Sequence, residues 1–306
     1  MRNKISDVYH SFVDFCKSWN WSLAIRIVIL PKLLHNQNIK HYAILSYLEK
    51  RYSKVIDAYK NKVSTSECLK SDCPIWICWF QGEEQMPLLV KKCLKSVRKY
   101  SGKHEVHIIT MDNFKDYMTV PNYILDKVRR KEITLTHFSD IVRNNLLANY
   151  GGIWLDATVY ITAELKGWNL PFFTIKQDRP ANHIFVSEYK WTGFCMGGVR
   201  DNILNMFVKD MFNEYHKNEC RLIDFFLIDY IIALGYHTIP AIKALIDAVP
   251  YSNPNLYYIQ NNLDKTVNID EFKNICKDTH IFKLSYKINP PENKQSLYYF
   301  LELDKR

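Results

Sequence analysis

The sequence has little glycine and no closely spaced pair of cysteines. Only 9 of the 306 residues are glycine, which argues against collagen-like and low-complexity architectures. The eight cysteines include no C-x-x-C pair and have no histidine cluster near them, so a zinc site is not expected. Cys78, Cys93 and Cys195 lie within apolar runs, which is typical of small core residues in a reducing compartment.

Long apolar runs are also lacking. The longest extends from Trp21 to Leu34 and is interrupted by Arg26, Pro31 and Lys32. It is too short and too polar to predict a membrane span. No signal peptide is visible. We therefore expect a cytoplasmic protein, and peripheral attachment to the inner face of the membrane stays open.

What the sequence does contain is ample material for a core. Hydrophobic residues make up 47% of the chain and aromatic residues 14%, which argues against global disorder. The length fits one large domain, or one domain with a small helical appendage. The boundary that we predict separates a basic helical extension, residues 1–70, from a catalytic domain, residues 71–306.

Positive charge is concentrated in the N-terminal extension. The chain has a net charge of +9, and residues 1–70 carry 12 basic and 5 acidic side chains. Such a segment suits an anionic partner, either membrane headgroups or nucleic acid, while a simply solvated basic face explains it equally well. Nucleic acid is not expected, because the charge lies outside the motif-bearing region and no nucleic-acid-binding motif is present.

An apolar stripe in the same extension predicts an amphipathic helix, because its members recur at three- and four-residue steps. We expect the stripe to pack on the main domain rather than on lipid. Its members are Ile5, Val8, Tyr9, Phe12, Phe15, Cys16 and Trp19.

From residue 74 onward, short apolar segments alternate with helical patterns. Strands are predicted at Ile75–Phe80 and Val106–Thr110, with a helix at Pro87–Tyr100 between them. This alternation predicts an α/β fold with a mixed, mostly parallel sheet flanked by helices. A later strand is predicted near 172–176. Helices are predicted at 203–216 and 222–234, and Gly235 is expected to close the second of them.

The most informative segment is HFSDIVRNNLLANYGGIWLDATVYI, residues 137–161. It predicts a helix from His137 to Tyr150, a stop at the Gly-Gly pair, and a buried strand at Ile153–Leu155 that ends at Asp156. Ligands of open α/β sheets bind at the carboxyl ends of strands. Asp156 is therefore expected to lie where ligands bind.

Three charged residues of this segment suit a phosphosugar. Asp140 and Arg143 are one helical turn apart, so one can accept hydrogen bonds from sugar hydroxyls while the other donates to phosphate. An ordinary intrahelical salt bridge is the alternative. Asp156 needs a cation or strong donors beside its apolar strand. A divalent ion on a diphosphate would serve, and a structural turn cap is the alternative.

The run SDIVRNNLLANYGGIWLDATVYI resembles the donor-site signature of glycosyltransferase family 32. The segments IWICWFQGEEQMP, LTHFSD and GGIWLDAT resemble more closely the bacterial capsular polysaccharide synthesis protein family, over roughly residues 74–290. The resemblance implies a GT-A-type fold and a nucleotide-sugar donor, expected to be a UDP-sugar. It also implies that Trp79 and Gln81 line the nucleotide pocket, and that Ser139, Asp140 and Arg143 hold the sugar and its phosphate.

The same resemblance makes Asp156 the first aspartate of a DXD-like motif, which commonly binds Mn²⁺ or Mg²⁺. Thr158 stands where family 32 has the second aspartate, so metal dependence is expected to be weak or to use another ligand. Near the C-terminus, His280, Lys283 and Lys287 could neutralise a departing diphosphate. We assign His280 to the metal with Asp156 and Lys283 to the donor. A solvated basic strand is the alternative.

Two other segments are candidates for the acceptor side. Asp229 lies in the apolar run LIDFFLIDYIIALG and needs a specific partner there. It is predicted to be catalytic, with a structural carboxylate as the alternative. The segment KWTGFCMGG, residues 190–198, has the composition of an acceptor loop or of core packing with a tight turn.

Together these features predict a glycosyltransferase that moves a sugar to a hydroxyl of a growing capsular or surface polysaccharide or of a lipid-linked oligosaccharide. Family 32 resemblance implies retention of the anomeric configuration. The alternative is a non-catalytic protein that binds sugar nucleotides during polysaccharide assembly, for which Thr158 is the best support.

Overall fold

The computed structural model describes residues 2–165, 169–180 and 183–301, with side chains from residue 9 onward. Seven strands lie within these ranges. They are β1 (Ile75–Cys78), β2 (Val106–Ile109), β3 (Gly152–Leu155), β4 (Val159–Ile161), β5 (Phe172–Thr174), β6 (Cys195–Gly198) and β7 (Ile281–Lys283).

Five of these strands form the central sheet, in the order β2-β1-β3-β6-β5. Strand β1 pairs parallel with β2 and with β3, whereas β6 pairs antiparallel with β3 and with β5. Four strands therefore run in one direction and β6 opposes them. A second, two-stranded sheet joins β4 antiparallel to β7. The predicted α/β class with a mixed, mostly parallel sheet is confirmed.

Helices cover both faces of the sheet and form the N-terminal region. A π-helical turn at Ile25–Ile29 links α2 to α3, and a short 3₁₀ turn at Glu83–Gln85 precedes α6. The α-helices are α1 (Arg2–Ser18), α2 (Trp21–Ala24), α3 (Leu30–Leu33), α4 (Asn38–Arg51), α5 (Ser53–Lys60), α6 (Leu88–Tyr100), α7 (Phe114–Tyr117), α8 (Asn122–Arg129), α9 (Leu135–Tyr150), α10 (Ile203–Asn218), α11 (Leu227–Thr238), α12 (Pro240–Asp247), α13 (Tyr258–Asn261), α14 (Ile269–Ile275) and α15 (Leu297–Phe300).

Both predicted bounds of α11, residues 222–234 with a stop at Gly235, are wrong. The helix begins at Leu227, five residues later than expected, and continues through Gly235 to Thr238. A Cβ atom on Gly235 would lie 3.0 Å from side-chain atoms of both Ile242 and Phe207. Gly235 therefore allows close packing inside the helix and does not terminate it.

The N-terminal helices share the largest hydrophobic cluster with the rest of the chain. Trp19 is buried in that cluster, and Phe12 and Phe15 pack against it, as expected for a stripe that covers the core. The side chains of Ile5 and Val8 lie outside the described residues. In the described part of the chain, none of the helices combines the length and apolar character needed to cross a bilayer. The domain boundary near residue 70 stays a prediction.

Candidate active site

A cavity of about 800 Å³ opens at the carboxyl edge of the central sheet. This volume is within the range of small-molecule pockets. Strands β1 and β3 are parallel neighbours, so the residues that follow them reach the same edge. Ten of the candidate site residues line the cavity, namely Trp79, Gln81, Ser139, Asp140, Arg143, Asp156, Thr158, Asp229, Lys283 and Lys287.

The glycine pair after α9 places Asp156 at this edge. Gly151 and Gly152 have φ values of 69° and 105°, which L side chains rarely adopt. A Cβ on Gly152 would lie only 2.4 Å from the carbonyl oxygen of Pro74. Two glycines thus let the chain leave α9 and enter β3 directly beside β1. The Asp156 backbone N–H then donates to the carbonyl of Phe194 at 2.8 Å.

Asp156 has a cationic partner at each carboxylate oxygen. Its Oδ1 lies 3.2 Å from Arg143 Nη2 and accepts from the indole N–H of Trp154 at 3.0 Å. Its Oδ2 accepts from Lys283 Nζ at 2.9 Å. Burial alone would raise the pKa of Asp156, but Lys283, Arg143 and the Trp154 donor outweigh it and lower the pKa. Asp156 is therefore ionised at neutral pH.

Lys283 reaches Asp156 because β4 and β7 pair. The pairing sets Val159 opposite Lys283, and the Leu284 backbone N–H donates to the carbonyl of Thr158 at 3.0 Å. The Lys283 ammonium also donates to the Thr158 hydroxyl at 2.6 Å. Thr158, which we predicted to stand in place of a second aspartate, thus contacts a lysine.

Arg143 lines the cavity, and several contacts fix its guanidinium group. It is 4% exposed, and its Nη2 is 3.2 Å from both Asp140 and Asp156. Its guanidinium carbon lies 5.0 Å from the centre of the Trp154 ring. A Cβ on Gly193 would come within 3.0 Å of Arg143 Nη1. The predicted meeting of Asp140, Arg143 and Asp156 is observed, and the intrahelical pair of Asp140 and Arg143 is one part of it.

Asp229 lies in the wall of the same cavity and accepts a 2.8 Å hydrogen bond from the indole N–H of Trp191. Burial raises the pKa of Asp229 to about 6; Asp140 also raises it, while the Trp191 bond opposes the shift. Sequence reasoning missed Trp191 as this partner. Its signal was the segment 190–198, whose first half lines the cavity and whose second half forms the inner strand β6.

The side chains of Trp79 and Gln81 lie at one end of the cavity wall, after β1. The Trp79 ring packs edge-on against Tyr286 at 5.5 Å between centroids. Its buried indole N–H has no acceptor among the described residues, so a bound ligand could supply one. Ser139 donates to the carbonyl of Thr136 at 2.6 Å, which leaves its oxygen able to accept.

The donor set at Asp156 does not fit a divalent ion. His280 is exposed, directly precedes β7 and does not line the cavity. Ile281 and Phe282 separate it from Lys283. Both oxygens of Asp156 already contact cations. Within the described ranges, no group of three or more His, Cys, Asp or Glu side chains could hold a metal. The predicted Mn²⁺ or Mg²⁺ requirement therefore finds no support in these residues.

Fold and site together define an α/β protein with a charged ligand cavity at the carboxyl edge of a mostly parallel sheet. The chain belongs to the capsular polysaccharide synthesis protein family, whose model matches residues 28–301. No curated protein matches it significantly in sequence. The relation to family 32 and its DXD motif stays a prediction.

Solved structures of two glycosyltransferases are similar to the chain. The PaToxG glycosyltransferase has 14% identity and a TM-score of 0.39, over 68% of this chain and 83% of that one. A glycosyltransferase involved in the glycosylation of the major capsid of PBCV-1 has 11% identity and a TM-score of 0.41, over 76% and 100%. At these values the likeness says nothing about substrates.

Proposed function

We propose that this protein is a glycosyltransferase that moves a sugar from a nucleotide-sugar donor, a UDP-sugar, to a hydroxyl of a growing capsular or surface polysaccharide. The observation that supports it best is the meeting of Asp140, Arg143, Asp156 and Lys283 at one cavity. Carboxylates that accept from hydroxyls and cations that face phosphate are the two features a phosphosugar requires.

In the proposed reaction the bond between the anomeric carbon and the diphosphate breaks, and its electron pair leaves with the phosphate oxygen. The acceptor oxygen forms the new bond to the anomeric carbon. With retention, as the resemblance implies, the new bond forms on the face that the diphosphate leaves, and the acceptor proton passes to the carboxylate of Asp229. Because the transition state has oxocarbenium character, cations at the leaving group lower the barrier. Arg143 and Lys283 have this role.

Asp229 is proposed to act on the acceptor side. Trp191 fixes one of its oxygens, so the other oxygen can accept a hydrogen bond from the attacking hydroxyl. With a pKa of about 6, Asp229 is mostly ionised at neutral pH and able to do so.

A screen of nucleotide sugars for donor hydrolysis and transfer tests this proposal. We expect at least one nucleotide sugar to be consumed, and Asp156→Ala to abolish turnover while the far-UV circular dichroism spectrum is unchanged. Asp270→Ala, at an exposed position on α14, is the matched control. Full activity of the Asp156 variant would refute the assignment. Binding without hydrolysis or transfer, over a broad acceptor panel, would favour a non-catalytic role instead.

The acceptor is proposed to carry a lipid. Phe185, Phe225 and Phe226 line the cavity and are each about half exposed, which leaves apolar surface for an acyl or prenyl chain beside the sugar site. Trp21 and Leu33, both 68% exposed in the basic N-terminal extension, support contact with anionic headgroups.

Sedimentation with vesicles tests the membrane part of the proposal. We expect the protein to bind vesicles that contain anionic lipid and not neutral ones, and Trp21→Ser with Leu33→Ser to reduce the bound fraction. Equal recovery with both kinds of vesicle would contradict this contact. For the acceptor, lipid-linked saccharides should be used in preference to the same free saccharides, and Phe225→Ser should remove that preference.

A further inference from the structure

We propose that Lys283 takes the place of the divalent cation, so that this protein binds and releases the diphosphate of its donor without a metal. This inference rests on the proposed function and names the group that neutralises its leaving group. It starts from the disagreement between a DXD-like sequence and a donor set that contains two cations and one carboxylate.

The charges at Asp156 balance without a divalent ion. In a site with two aspartates, a divalent ion cancels both carboxylates. Here the second carboxylate is replaced by Thr158, and the single remaining one, Asp156, contacts the ammonium of Lys283 at 2.9 Å. Compared with a site of two aspartates, this site has one negative charge fewer. Its cation, an ammonium in place of a divalent ion, has one positive charge fewer. The pair of Asp156 and Lys283 is therefore neutral before the donor binds, as two aspartates with a divalent ion would be, and Arg143 forms a second neutral pair with Asp140.

A divalent ion at Asp156 would lie too close to other positive charges. A divalent ion bound to Asp156 would lie about 2–2.6 Å from a carboxylate oxygen. Lys283 Nζ is 2.9 Å from one of those oxygens and Arg143 Nη2 is 3.2 Å from the other. Because Arg143 is 4% exposed and also contacts Asp140, it cannot withdraw without breaking its contacts to both carboxylates. The ion would meet two cations at contact distance.

Lys283 and Thr158 have hydrogen-bond donors that a diphosphate can use. An ammonium has three N–H donors, and those of Lys283 that contact protein go to Asp156 and to the Thr158 hydroxyl. One donor is left for a phosphate oxygen. The Thr158 hydroxyl accepts from Lys283, so its own proton is available to the same phosphate. Lysine and threonine together offer a diphosphate a charge and two hydrogen bonds.

Calorimetric titration of the full chain tests this inference, with UDP and inorganic pyrophosphate as probes, in EDTA and in Mn²⁺. We expect the wild-type Kd to agree within about twofold between the two conditions. Lys283→Gln should weaken binding by about 10- to 100-fold in both, since a charged hydrogen bond is lost. Lys283→Arg keeps the charge and should bind in EDTA. Lys273→Gln, at an exposed position on α14, is the matched control and should behave as wild type.

Two results would overturn the inference. One is wild-type binding that disappears in EDTA and returns with Mn²⁺, a measurement that needs no variant to fold. The other is a folded Lys283→Gln protein with wild-type affinity. Either result leaves the proposed donor site standing. If neither probe binds in either condition, the donor site itself is wrong, and this inference is refuted with it.

Discussion

Replacing Asp229 by asparagine should stabilise the protein at neutral and alkaline pH. Asparagine has nearly the same shape and can still accept the hydrogen bond from Trp191, which is 2.8 Å in the native protein. What it removes is a carboxyl group whose burial raises its pKa from 3.8 to about 6. The native state therefore binds this proton more tightly than the unfolded state does.

The direction and size of this change in unfolding free energy follow from the coupling between proton binding and folding. A group with a raised pKa contributes its full stability below the unfolded pKa, near 4, and loses that contribution as pH rises through the native pKa, near 6. A shift of about two pH units corresponds to at most about 3 kcal/mol. Because the Asp229 side chain is partly exposed, solvent screening reduces this to about 1–2 kcal/mol. The variant should gain that much relative to wild type above pH 7.

Urea unfolding of both proteins between pH 4 and pH 8 measures the effect. The difference in unfolding free energy should grow with pH from about 4 and level off above about 6.5. Any change in hydrogen bonding or packing adds an offset that does not vary with pH, so the slope is the diagnostic quantity. Asp270→Asn, on an exposed position of α14, is the control. A difference that stays constant over this range would refute the burial argument.

Three further predictions concern rate, positioning and stability. The transfer rate should fall as pH drops below about 6, because Asp229 that is already protonated cannot take the proton of the acceptor hydroxyl; a pH–rate profile that is flat to pH 5 would contradict this. Gly193→Ala places a methyl group 3.0 Å from Arg143 Nη1 and should raise the donor KM several-fold with an unchanged melting temperature. Gly152→Ala should destabilise the fold by about 2–4 kcal/mol in urea unfolding, since φ is 105° and the new carbon would meet the Pro74 carbonyl.

The positions of Asp140, Arg143 and Asp156 could be predicted from local sequence patterns. The helix α9, the Gly-Gly stop and strand β3 are contiguous in sequence, so the periodicity of one element and the length of the next fix where Asp140, Arg143 and Asp156 emerge. The carboxyl-edge rule then supplies the cavity. All three side chains belong to one contiguous segment, residues 135–156, although pairing with β1 and the backbone bond to Phe194 hold its strand in place.

Long-range pairing was not predictable in the same way. Lys283 is 127 residues from Asp156 and reaches it through β4 and β7, which are three residues each and too short for a periodicity signal. The sequence marked both His280 and Lys283 as basic. It could not tell which end of the strand faces the cavity. The bond between Trp191 and Asp229, 38 residues apart, was missed for the same reason.

Two of the three carboxylates that line the cavity, Asp156 and Asp229, lie in opposite electrostatic surroundings. Cations lower the pKa of Asp156, so it keeps its charge throughout the physiological range and cannot take up a proton. Burial raises the pKa of Asp229 to about 6, so its charge responds to whatever binds beside it. Divergent pKa values in one site identify distinct tasks. In the proposed reaction, these pKa directions suit Asp156 to hold Lys283 beside the diphosphate and Asp229 to act on the acceptor hydroxyl.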